Sequence, residues 1–150
     1  MAQELIIQAS SLEREEFDPS ELLVGLECGG SDSSSGLVSN PVVGEFSDLL
    51  VRAGGTAMFS ETPEIVGAEH LLAERATTQE AGQKILQLVA DLEQNLTRVG
   101  EDLRSGQPSP GNKDGGLSTI EEKSLGCIHK GGTTPIVEVL DYAETPTKKD

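Results

Sequence analysis

The stretch from residue 22 to residue 60 constrains this chain more than any other. Leu22–Cys28 (LLVGLEC) is short and apolar, is ended by Gly29-Gly30, and reads as a buried strand. A Gly- and Ser-rich turn follows, Cys28 to Gly36 (CGGSDSSSG). Asn40-Pro41 then opens a helix, with Asn40 as N-cap and Pro41 at the first helical position, where its missing N–H costs nothing. Val42, Val43, Phe46, Leu49 and Leu50 form its expected apolar face, and Gly54-Gly55 ends it. Thr56–Ser60 is a second strand. Strand, loop, helix, strand in this order is a βαβ unit, which requires parallel strands joined by a crossover.

The rest of the chain extends this α/β pattern. Residues 2–16 carry Leu5, Ile6, Ala9 and Leu12 at helical spacing, and Phe17-Asp18-Pro19 breaks the run. A helix is expected from about Pro63 to Ala76. A longer one, capped by Thr77 or Thr78, reaches Val99 with the stripe Ala81, Ile85, Leu88, Val89, Leu92, Leu96 and Val99. Residues 101–116 have no period and many breakers, and read as a long loop. Ser118 or Thr119 caps a helix to about Lys130, and Pro135–Leu140 alternates as a third strand. The expected fold is therefore an open, mostly parallel sheet of about three strands with flanking helices, Rossmann-like and incomplete. Residues 1–18 form an N-terminal helix and linker, 19–144 a partial α/β catalytic domain, and 145–150 a polar tail.

Aromatics make up only 3% of the residues and Trp is absent, so the core must be aliphatic. A net charge of −15 repels phosphate backbones and argues against nucleic acid as a partner. No apolar run is long enough to cross a bilayer. Cys28 and Cys127 have neither CxxC nor zinc-like spacing. With no secretory signal, the expected compartment is the cytoplasm, where both are thiols.

In open parallel sheets, ligands bind at the carboxyl ends of strands. Cys28–Gly36, Ser60–Glu64 and the loop Pro108–Gly116 are expected to meet there. They offer Cys28, Ser31, Asp32, Glu61, Glu64, Asn112 and Lys113. Each also has a structural use. Cys28 suits a small buried hydrophobe. Asp32 suits a turn cap, and Glu61 and Glu64 suit a helix start. His70, on a helix beside Glu69, suits an exposed position, and His129 suits a helix C-terminus.

The blocks CGGSD, SETPE, GAEHLL, PSPGN, EEKSLG and KGGTTP occur in order over residues 19–144. In this the chain resembles the galactarate dehydratase/altronate dehydratase (altronate hydrolase) family. The resemblance implies a hydro-lyase that removes water from altronate or galactarate to give a 2-keto-3-deoxy acid. It also implies a divalent metal, typically iron(II), with manganese or magnesium as alternatives. Relatives release sulfite from sulfolactate by similar elimination. The small N-terminal domain and the later α/β segments of the family are missing from the sequence. The expectation is a portion of the catalytic region, inactive alone, that forms a homo-oligomer or is complemented by a C-terminal segment.

By this resemblance Cys28, Asp32, Glu64 and His70 are the catalytic candidates. Gly29, Gly30, Ser31, Asn112, Lys113 and Lys130 are candidates for binding the substrate, a small anionic sugar acid. Oxygen-rich ligation of the metal suits Asp32, Glu61 and Glu64. Cys28 fits binding or packing better than nucleophilic attack. Two other readings compete: a non-catalytic subunit that complements a partner chain, and a flavodoxin-like nucleotide or phosphate binder. Against the second, the chain has neither GxGxxG nor GxxxxGK[ST].

Overall fold

A computed structural model describes residues 2–147. The expected βαβ unit is present. Strand β1 (Leu23–Leu26) pairs in parallel with β2 (Thr56–Phe59), in a register that sets Leu23 against Thr56 and Leu26 against Phe59. Helix α1 (Ala2–Ser10) precedes them and is exposed along its whole length. Helix α2 (Asn40–Arg52) is the crossover. Downstream lie α3 (Glu69–Glu74), α4 (Gln79–Arg98), α5 (Leu103–Gly106), α6 (Pro110–Asp114) and α7 (Ile120–Cys127), which runs on as a 3₁₀ turn, Ile128–Gly131.

The sheet has two strands among the described residues, not three. The segment expected as a third strand makes a single parallel bridge, Ile136 to Ala76, and does not join the β1–β2 sheet. Its partner, Arg75–Thr77, is only the link between α3 and α4, so no ladder can grow there. Pro135 also has no N–H to extend one.

Helix α2 begins differently from the expectation. Asn40 is helical (φ −67°, ψ −42°), and a π turn over Ser35–Ser39 leads into it. The wider turn removes the clash that the Pro41 ring would make with the carbonyl four residues back. Its buried face is only partly the apolar one. Gly44, Ser47, Asp48 and Leu50 are buried, while Val42, Phe46 and Leu49 are exposed.

The expected helix from Pro63 to Ala76 is broken. A 3₁₀ turn over Thr62–Ile65 gives way to Gly67 at φ +96° before α3 starts. The core gathers on that break. Val66 and Ala68 are fully buried among Ile65, Leu72, Ile85, Val89, Ile120 and Ile128. The buried Val66 carbonyl accepts from Ser124 Oγ at 2.8 Å, so threading bare backbone through the core leaves that acceptor satisfied. Helix α4 forms as read, with Thr78 Oγ1 accepting from Ala81 N. The aperiodic 101–116 segment contains α5 and α6, each too short to show a period. Asp102 caps the first, and a Ser109–Asn112 capping box starts the second.

Candidate active site

The loops expected to meet at the carboxyl ends of the strands do so. Cys28 N–H donates to Glu61 Oε2 (2.5 Å), which ties the loop after β1 to the loop after β2. Asn112 Nδ2 donates to the Ser31 carbonyl (2.8 Å), and Ser33 N–H to the Gly115 carbonyl (2.9 Å). Helix α6 is thereby fastened to the first loop. Cys28 Sγ and Ser31 Oγ share a hydrogen bond of 2.9 Å. Glu61 sits in the left-handed region (φ 70°, ψ 73°), a conformation costly for a residue with a Cβ. The carboxylate's bond to Cys28 N–H holds it there.

The other wall of the site is α7. Thr119 Oγ1 caps it by accepting from Glu122 N–H, and Lys123, Cys127 and Lys130 follow at helical spacing along one face. Lys123 Nζ lies 3.0 Å from Glu64 Oε1 and donates to Gln107 Oε1, also at 3.0 Å. This pair is withdrawn from water, with side-chain exposures of 9% for Lys123 and 13% for Glu64. Glu64 Oε2 is buried and has no hydrogen-bond partner. Lys130 is 3% exposed. Its Nζ lies 3.7 Å from Glu61 Oε2 and 5.4 Å from the centre of the Phe59 ring, with no hydrogen-bond acceptor in ordinary geometry. Burial pushes the Cys127 thiol up to about 12, against the opposing pull of the Lys130 ammonium. Cys127 is therefore a neutral thiol here and not a nucleophile.

A second set of residues fixes where Lys130 stands. Ser47 Oγ, fully buried on α2, donates to the Lys130 carbonyl (2.8 Å). Asp48 Oδ1 accepts from the Thr133 and Thr134 N–H groups (2.8 and 3.2 Å), and its Oδ2 from Thr133 Oγ1 (2.7 Å). Burial alone would raise the Asp48 carboxyl, but these Thr133 and Thr134 hydrogen bonds outweigh it and hold the group below the usual aspartate range. Arg75 Nη2 donates to the Gly131 and Thr134 carbonyls. A Cβ on Gly44 would come within 2.2 Å of the His129 carbonyl, so α2 and the turn pack backbone against backbone.

The remaining candidates are placed as follows. Gly29 and Gly30 are exposed beside Cys28. Asp32 is exposed and serves as a cap. Its Oδ1 accepts from Ser34 Oγ, Ser35 N–H and Ser35 Oγ, and the Ser34 hydroxyl leads these in lowering its carboxyl. His70 is exposed on α3 and takes part in none of the hydrogen bonds or ion pairs of the cluster. Lys113 is exposed on α6. Among the described residues, no group of three His, Cys, Asp or Glu side chains is placed to hold a metal ion. Glu61 and Glu64 each face a lysine, and Asp32 is committed to its serines, so these three do not fit a divalent metal as a set. The sequence reading missed Lys123 and Cys127. Their signal is the i, i+4, i+7 spacing with Lys130 inside the EEKSLGCIHK block.

Residues 19–150 match the family model described as D-galactarate/altronate dehydratase, C-terminal. The chain belongs to this family. It is 50% identical over 137 residues to galactarate dehydratase (L-threo-forming) of Escherichia coli K12, covering 91% of the chain and 26% of that relative. It is 47% identical over 131 residues to altronate dehydratase of Bacillus subtilis 168, covering 87% of the chain and 26% of the relative. A third relative is the (2R)-sulfolactate sulfo-lyase subunit beta of Chromohalobacter salexigens, 45% identical over 148 residues, which cover 97% of the chain and 38% of the subunit. The chain thus spans about a quarter of the length of the dehydratases it matches. Among the described residues no helix is long and apolar enough to cross a membrane.

Proposed function

We propose that this chain supplies one wall of the active site of a sugar-acid hydro-lyase acting on galactarate or altronate. The rest of the site comes from the length that the dehydratase relatives carry beyond the matched region. The observation that carries this reading is Lys130: a buried ammonium group with no hydrogen-bond acceptor, held beside Glu61 at the ends of two parallel strands. A buried cation left in this state is expensive unless a ligand completes its hydrogen bonds. A substrate carboxylate does so, and it brings the adjacent C2–H and C3 hydroxyl to the neighbouring acidic side chains.

The chemistry follows from the residue types. Dehydration of a 2,3-dihydroxy acid removes the proton from C2 and the hydroxyl from C3. The resulting enol becomes the 2-keto-3-deoxy acid. As the C2–H bond breaks, negative charge builds on the carboxylate, and an ammonium already in place stabilises it without reorganising. Carboxylates are the proton acceptors available on this wall.

The test supplies the chain together with the remaining length of a family member and measures keto-acid formation from galactarate and from altronate. Wild-type protein is expected to form keto acid from one of them, and Lys130→Met to lose that activity. Sulfite release from sulfolactate with no keto acid from either sugar acid would replace the hydro-lyase reading with the sulfo-lyase one. A complemented wild type that acts on none of the three would leave the non-catalytic reading.

A further inference from the structure

We propose that Lys123 is a positioning residue for proton abstraction: together with Gln107 it pins one oxygen of Glu64, so that the other, Oε2, is the acceptor of the substrate's C2 proton. This inference rests on the hydro-lyase reading above and adds to it which carboxylate is the base and what aims it.

The geometry separates the two oxygens of Glu64. Oε1 is held by Lys123 Nζ at 3.0 Å, and Nζ is in turn anchored by Gln107 Oε1 at 3.0 Å. Oε2 is buried and unpartnered. The ammonium holds the carboxylate in one rotamer, so the oxygen left to accept a proton is a single atom. Glu61 is placed differently. Its Oε2 is already taken by Cys28 N–H, with Lys130 close by. Glu61 therefore orients the first loop and faces the carboxylate-binding ammonium, while Glu64 keeps a free oxygen.

The step balances without a co-reactant. The C2–H bond breaks first: its proton goes to Glu64 Oε2 and its electron pair is held in the enediolate over C2 and the carboxylate, where solvent exchange can be read before that pair forms the C2=C3 bond and the C3–O bond breaks. The departing hydroxyl takes the proton from Glu64 and leaves as water, which returns the carboxylate to its starting state.

The experiment uses the complemented protein of the preceding assay, with galactarate and altronate as substrates. It reads kcat, KM and exchange of C2–H with D2O. Lys123→Met is expected to lower kcat about 100-fold, the usual scale for losing a positioned base, with little change in KM and with loss of C2 exchange. Lys123→Arg is expected to restore most of kcat, and Glu64→Gln to lose as much as Lys123→Met. The double variant should be no worse than either single one, because the two residues act as one unit. Wild-type kcat and exchange in folded Lys123→Met would overturn the proposal. So would a loss confined to KM, or losses that multiply in the double variant. If Lys123→Met does not fold, Gln107→Ala decides: the proposal expects a several-fold fall in kcat at constant KM, and an unchanged kcat overturns it. Failure of the wild type to act on either sugar acid would overturn the hydro-lyase reading, and this proposal with it. Failure of the Lys123 and Gln107 series alone leaves that reading standing.

Discussion

The Lys123–Glu64 pair gives the sharpest test of whether this wall of the site is desolvated. Exposed ion pairs contribute about 0–1 kcal/mol, because water screens them and two long side chains must be ordered. This pair is different, since both side chains are nearly out of contact with solvent. Lys123→Met strands the Glu64 carboxylate, whose Oε2 has no other partner to fall back on. The expected cost is about 3–5 kcal/mol, the range for breaking a buried pair from one side. Glu64→Gln is milder. The remaining ammonium keeps its Gln107 acceptor, and the new amide oxygen can still accept, so the cost is about 1–2 kcal/mol. In the double variant no charge is stranded, and its cost should fall short of the sum of the single ones by about 1–3 kcal/mol. Urea unfolding of the four proteins measures all of this, and raising the salt should leave the coupling unchanged. A Lys123→Met cost below about 1 kcal/mol, or an additive cycle, would refute the argument, because either is the behaviour of a solvated pair.

Four further outcomes are expected. At position 61, Gly should be more stable than Ala by about 1 kcal/mol in chemical unfolding: both remove the carboxylate, but only Gly is at ease in the left-handed region. Because the folded Asp48 carboxyl lies below its unfolded value, its stabilising effect is complete above the ordinary aspartate range and is lost as pH falls through the depressed value. Wild type should therefore lose its advantage over Asp48→Asn only in acid, as followed by unfolding midpoints across pH. Cys127 should resist alkylation in the native protein and react on unfolding, with mass spectrometry of the labelled peptides as the readout, since its thiol is buried and raised to about 12. Removing divalent metal with a chelator should leave the unfolding temperature of this chain unchanged, because among the described residues no three His, Cys, Asp or Glu side chains are placed to hold a metal ion.

Much of the framework was legible because its causes are local. The βαβ order, the Thr78 cap and the stripe of α4 each depend on neighbours in sequence, and each formed where expected. The meeting of the first two loops was also legible, since topology dictates where loops after parallel strands go; the loop Pro108–Gly116 follows no strand and joins them through the hydrogen bonds of Asn112 and Gly115. What could not be read depends on partners far along the chain. The buried face of α2 is Gly44, Ser47 and Asp48 because the turn at residues 129–134 presses on it, and nothing near residue 44 announces that turn. Lys123 was passed over because a lysine within a capped helix ordinarily faces water. Glu64, brought in by the break at Gly67, and Gln107 make it a buried partner.

This difference alters how the glycine-rich motifs of the chain are understood. KGGTTP looks like a flexible loop that cradles a ligand, yet its parts have fixed mechanical duties. Gly132 sits at φ +61°, where a Cβ would fall 2.2 Å from Asp48 Oδ1, and Thr133 and Thr134 supply the hydrogen bonds that keep that carboxylate ionised and buried. The clamp immobilises the backbone next to Lys130, whose carbonyl Ser47 holds from the opposite side. Most of the motif therefore builds the support, and one side chain faces the site. CGGSD divides in the same way. Asp32 caps the helical turn, Ser31 anchors α6 through its carbonyl, and Cys28 offers its N–H to Glu61. Of the buried side-chain atoms without a hydrogen-bond partner, Arg75 Nε belongs to the guanidinium that braces the Gly131 and Thr134 carbonyls; the other two are Lys130 Nζ and, from SETPE, Glu64 Oε2, one cationic and one anionic. Both are buried and unsatisfied at the same sheet edge, which is the pairing an elimination next to a carboxylate requires.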